Sequence, residues 1–134
     1  MKNKVFAAIG GFVALFGLGY LIYVVLFGDA TFHLGTGTES IREEIQFPYI
    51  VFMEIMYAVF VTMIFTRWAN IKTFSTGLKA GFMIGLFIGF CHILHLYAVT
   101  NLTSLAGVAF ETVSFGVRFA VAGGVIGAIL GNES

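Results

Sequence analysis

The sequence predicts an all-α membrane protein, a four-transmembrane-helix up-down bundle, and three observations carry that prediction. Hydrophobic residues fill 59% of the 134 positions and charged residues only 10%, where a soluble domain carries about 25% charged residues. The mean hydropathy is +0.98. The charges gather between four apolar runs, at about 5–27, 48–66, 78–99 and 105–130. Each approaches or exceeds the roughly 20 helical residues that cross a hydrocarbon core. The whole length, 1–134, reads as a single integral membrane domain.

The first run follows Lys2 and Lys4 and holds no charge. It exceeds the 7–15-residue apolar core of a signal peptide and ends without a small-residue cleavage site, so it reads as a retained span. Ala7, Gly10, Ala14 and Gly17 put small residues near one stripe, a surface that lets helices approach closely. The next stretch, 28–47, is polar and rich in turn formers, and Ser40 with Glu43 forms a capping-box pattern for a short surface helix.

Pro48 opens the second run, at a first-turn position where its missing N–H costs nothing. Arg67, Trp68, Lys72 and Lys79 surround the following turn, an interfacial mixture of cations and an indole. The third run carries Gly77, Gly81, Gly85 and Gly89 and ends on His92 and His95. At 100° per residue His95 returns to the azimuth of Gly77. This glycine face is expected to pack against a neighbour and to place the third helix at the centre of the bundle. A short polar turn, 100–104, leads to the fourth run, which contains Glu111 and Arg118. The short connections predict antiparallel neighbours in chain order.

Charge placement sets an orientation. Lys2, Lys4, Arg67, Lys72 and Lys79 fall on one side of a four-span chain, and Arg42 alone falls on the other. The positive-inside bias makes both termini cytoplasmic. With seven basic and seven acidic residues the net charge is zero, so a nucleic-acid partner has no electrostatic support. Cys91 is the single cysteine, which excludes an intrachain disulfide.

Ionisable residues at membrane depth cost about 2.5–3.5 kcal/mol each at a helix centre. Counting 1.5 Å per residue from the outer end of each span, Glu54 and Glu111 lie about 9 Å deep, His95 about 6 Å and His92 about 10 Å. Four titratable groups from three helices therefore share one outer-leaflet layer. Arg118 lies two turns below Glu111 on nearly the same face, within reach of a neighbouring helix's carboxylate or of the cytoplasmic headgroups. Glu54, His92, His95, Glu111 and Arg118 form the candidate polar site.

Three readings of this layer compete. It can be a structural network of hydrogen bonds and ion pairs that fixes helix register. It can be a proton- or solute-handling site, since histidine titrates near neutrality and burial raises a carboxyl toward it. It can be a metal site built from His92, His95, Glu54 and Glu111, residue types that suit zinc or iron. The spacing disfavours the last, because H-x-x-H on one helix is not the Glu-x-x-His repeat of di-iron bundles. Haem ligation by two histidines would need them on facing helices. No cofactor is predicted.

The stretch Tyr97-Ala98-Val99-Thr100-Asn101-Leu102, followed by Glu111 early in the last span, resembles a group of small bacterial four-span membrane proteins of unknown function that share a Y-x-x-T-N-L turn. The resemblance includes Gly19-Tyr20-Leu21-Ile22-Tyr23 and the glycine-rich third helix. Some of those proteins carry an acidic residue where this chain has Ala98, so no role transfers to that position. The resemblance implies a bacterial inner-membrane protein with four helices and supplies no activity. Three function classes follow: a small transporter or channel subunit, in a homo-oligomer or with a membrane partner; a non-catalytic scaffold or regulatory module; and a membrane metal-binding protein or enzyme.

Overall fold

A computed structural model describes residues 2–22, 36 and 46–132. Four α-helices dominate it: α1 (Lys2–Tyr20), α2 (Phe47–Ile64), α3 (Phe74–Val99) and α4 (Leu105–Gly131). All four are long and apolar enough to cross a membrane. The chain is thus an all-α, four-helix bundle of the polytopic membrane kind. The surface helix expected around Ser40, and residues 23–27 of the first apolar run, lie outside the described residues.

Local chemistry explains the helix ends. Pro48 occupies the first turn of α2, as a residue without an N–H can. Below Ile64 the ladder widens into a π-helical turn, Phe65–Ala69, which stops at Asn70 with φ 50° and ψ 46°. Asparagine tolerates that left-handed conformation, and the next amide, Ile71 N–H, donates to Phe65 O at 3.0 Å. Helix α3 begins four residues before the sequence reading placed it. Thr73 Oγ1 accepts from Thr76 N–H at 3.2 Å and caps it, so Ser75 and Thr76 join the first turn. Ser104 Oγ accepts from Gly107 N–H at 3.1 Å and caps α4. Ser104→Ala should lower stability by about 1 kcal/mol, the usual worth of an N-cap; a denaturation midpoint unchanged in detergent would refute it.

The arrangement corrects two expectations, the central helix and the packing of neighbours in chain order. The centre belongs to α4, not to α3: α4 buries fourteen residues and α3 only five. Helix α4 packs most extensively on α3, then on α1, and touches α2. Helix α2 packs chiefly on α1. Chain-order neighbours α2 and α3 are therefore not packing neighbours, because α1 and α4 stand between them. The cause lies in side-chain size. Helix α3 offers only a narrow glycine stripe, enough for one partner, and most of the rest of its circumference is large and apolar. Phe82, Met83, Phe87 and Phe90 stay exposed, where lipid receives them.

The α3–α4 seam is built from backbone on backbone. A Cβ on Gly77 would overlap Gly123 O, and a Cβ on Gly123 would overlap Gly77 O. Gly81 stands equally close to Phe119 O. Helix α1 approaches α4 through Gly10 and Gly11, against Ile129, Val125 and Ile126. Between these contacts lies the core: Leu15, Ala58, Val61, Phe65, Phe119 and Ile126. The amino-terminal end of α1 meets the carboxy-terminal end of α4, where Asn3 Nδ2 donates to Ile129 O at 3.4 Å. Lys72 lies at the same end, its carbonyl against Gly131.

Candidate functional site

At the heart of the bundle lies an ion pair between Arg118 of α4 and Glu54 of α2. Arg118 Nη2 donates to Glu54 Oε1, and both side chains are almost wholly buried. Arg118 Nε also donates to the main-chain carbonyl of Leu15 on α1, at 3.4 Å. Gly19, one turn further along α1, leaves room for the guanidinium: a Cβ there would stand 3.3 Å from Nη2. One arginine therefore bonds two other helices from the central one. Its long side chain reaches a neighbour's carboxylate, one of the two courses open to it from the sequence.

Aromatic rings surround the pair. The Arg118 guanidinium carbon sits 5.3 Å from the centroid of Phe115, within the range of a cation–π contact. Phe115 stacks on Phe119 at 6.0 Å, and Tyr57 meets both rings edge-on, at 6.2 and 5.2 Å. His92 of α3 stacks on Phe115 at 6.5 Å. The polar and aromatic network thus joins side chains of α2, α3 and α4 to the backbone of α1.

A cavity of about 490 Å³ opens beside this network, lined by Glu54, Tyr57, His92, Glu111, Phe115 and Arg118 among others. Phe47, Ile50, Leu102 and Thr103 also line it, which places it toward the end of the bundle opposite the termini. The structure therefore brings Glu54, His92, Glu111 and Arg118 to one cavity. The sequence predicts a site buried throughout, and the structure differs: Glu54 and Arg118 are buried, Glu111 is half-buried, and His92 and His95 are exposed, His95 without lining the cavity. The reason is the drift of the seam. Buried positions in α3 recur every four residues, Gly77, Gly81, Gly85, Gly89 and Ile93, and each step turns about 40° further round the helix. By Ile93 the contact face has rotated about 160° from Gly77, so a shared azimuth with Gly77 points His95 outward.

Among the described residues no three or more of His, Cys, Asp and Glu stand together as a metal site. The four weak metal candidates do not assemble, since Glu54 pairs with Arg118 and His95 faces outward. Cys91 is exposed on α3.

The sequence reading did not single out Tyr57, Phe115 or Phe119. A signal was present: Gly107, Glu111, Phe115, Phe119, Gly123, Gly127 and Gly131 recur at intervals of four, the same period as the α3 stripe. Comparison with known protein families, curated proteins and solved structures gave no match.

Proposed function

We propose that the protein is a non-catalytic membrane module, a scaffold or regulatory subunit, whose Glu54–Arg118 core is structural. The engagement of Arg118 carries this reading. Its guanidinium bonds Glu54 and the Leu15 carbonyl and lies against Phe115, a set of contacts that ties helices together and leaves the charge little to do elsewhere. The outer face of α3, where His95 and Tyr97 are exposed, is the surface offered to a second copy or a membrane partner. Polar side chains at membrane depth ordinarily pair across a helix interface. The test is association in mild detergent: His95→Leu should weaken self-assembly or partner capture without changing unfolding. Equal assembly of variant and parent counts against α3 as the contact face.

A second reading, proton or solute handling, rests on a different observation. Glu54 Oε2 is buried and accepts no hydrogen bond from the described residues, and its residue lines the cavity. An oxygen so placed can receive a proton or a donor group of a small solute. Proteoliposomes loaded with a pH-sensitive dye separate the two readings. Under the scaffold reading parent and Glu54→Gln vesicles leak protons alike; faster dissipation by the parent alone favours transport.

The charge bias and the resemblance to small bacterial four-span proteins supply the location. We place the chain in a bacterial inner membrane with both termini cytoplasmic, Lys2, Lys4, Arg67, Lys72 and Lys79 being on that side. Carboxy-terminal fusions to a cytoplasm-active and a periplasm-active reporter check this, and activity of the periplasmic reporter would reverse it.

A further inference from the structure

A second cavity, of about 500 Å³, runs between α1 and α2 at the end of the bundle that holds the termini. Its walls are apolar, with Ile9, Phe12, Ile55 and Val59 among them, and Lys4 and Arg67 also line it. Lys4 lies in the first turn of α1 and Arg67 in the π-helical turn after α2, so both cations stand at one end of the groove. Two threonines in the wall spend their hydroxyls internally. Thr62 Oγ1 donates to Ala58 O at 2.8 Å and Thr66 Oγ1 to Thr62 O at 2.9 Å. The wall between the cations and the groove's deep end is therefore greasy. Trp68, next to Arg67, is exposed, in keeping with the headgroup level where indoles collect.

We propose that this groove is a binding site for an anionic glycerophospholipid, one acyl chain lying along α1 and α2 and the phosphate held by Lys4 and Arg67. Length agrees with the assignment. From Lys4 to Phe12 the groove descends about 12 Å, and from Arg67 to Ile55 about 18 Å, at 1.5 Å per residue. A bilayer leaflet contributes about half of a ~30 Å hydrocarbon core. Charge agrees as well: among the described residues no acidic one lines the groove, and basic pockets between membrane helices on the cytoplasmic side suit acidic headgroups. A zwitterionic lipid would fill the same apolar groove but carries no net charge for the two cations to hold.

The experiment uses the intact protein in mild detergent, with phosphatidylglycerol or phosphatidylcholine added, read by native mass spectrometry and thermal unfolding. Phosphatidylglycerol should bind with one tight site per protomer and raise the melting temperature more than phosphatidylcholine. Lys4→Gln/Arg67→Gln should weaken phosphatidylglycerol binding about 30-fold, roughly fivefold for each cation, and leave phosphatidylcholine binding unchanged. Lys72→Gln/Lys79→Gln removes two exposed cations outside the groove and should change neither. Three results would overturn the proposal: equal binding of the two lipids, equal loss in both double variants, or inorganic phosphate alone reproducing the thermal shift.

Discussion

Arg118→Leu should cost about 3–5 kcal/mol of stability, the expected penalty for leaving one member of a buried ion pair behind. Glu54→Leu should cost a similar amount, for the same reason seen from the other side. The informative variant is Glu54→Leu/Arg118→Leu. With both charges gone no uncompensated ion remains, and two leucines fit a site already walled by Phe115, Phe119 and Tyr57. The double variant should therefore recover most of the loss, as apolar replacements of buried pairs often do. Arg118→Lys should fall between, because an ammonium cannot reproduce the planar fork that spans Glu54 and the Leu15 carbonyl. Unfolding titrations in mixed micelles measure all four. If the double variant is as damaged as the singles, charge compensation is not what the pair contributes, and the structural reading of Arg118 loses its main support.

The separation between what was legible and what was not follows from the physics of each feature. Four membrane-length helices were legible because they depend on length and composition alone, and the bilayer tolerates few other spanning structures. The helix start at Pro48 was legible because a residue without an N–H suits the first turn, while the start at Thr73 was missed by four residues because polar residues continue past its cap into the first turn. The neighbour relations were not legible. They depend on which stripe of small residues meets which, and the glycines of α3 alone do not show that α4 carries the matching four-residue period. The polar site was half legible. Charges at membrane depth identify themselves by their cost, and Glu54, Glu111, His92 and Arg118 line one cavity. His95 stands apart because the contact face follows a four-residue period that turns as it climbs, so a shared azimuth with Gly77 is not a shared face.

Those two features are mechanically linked. Phe115 and Phe119 belong to the four-residue series of α4, and their carbonyls are the ones that Gly85 and Gly81 of α3 approach. Their rings, on the same two residues, meet Tyr57 and flank the arginine. The close seam thus holds the aromatic wall of the polar site in place. His92 reaches Phe115 because α3 is drawn against α4 by glycines one to four turns away. Loosening the seam should therefore disturb the surroundings of Arg118 without touching the ion pair itself.

Gly81→Leu tests that dependence and should be the most damaging single substitution in α3. A Cβ at Gly81 would overlap Phe119 O and stand 3.1 Å from the Gly123 Cα, and both obstacles are backbone, which cannot rotate aside. A leucine adds three more carbons to the same space. The helices must separate, and the cost should exceed the 1–3 kcal/mol typical of overpacking. Gly85→Leu should behave alike, since Phe115 O occupies the corresponding place. Gly17 provides the control, because among the described residues nothing lies within 4 Å of a Cβ there. Gly17→Ala should be neutral or stabilise by about 0.5–1 kcal/mol, the helical penalty of glycine. Beyond stability, Gly81→Leu should weaken the contact of His92 with Phe115, and ring-current shifts of the His92 protons by NMR would report it. A melting profile in Gly81→Leu that matches the parent would mean that the glycine stripe does not hold α3 to α4.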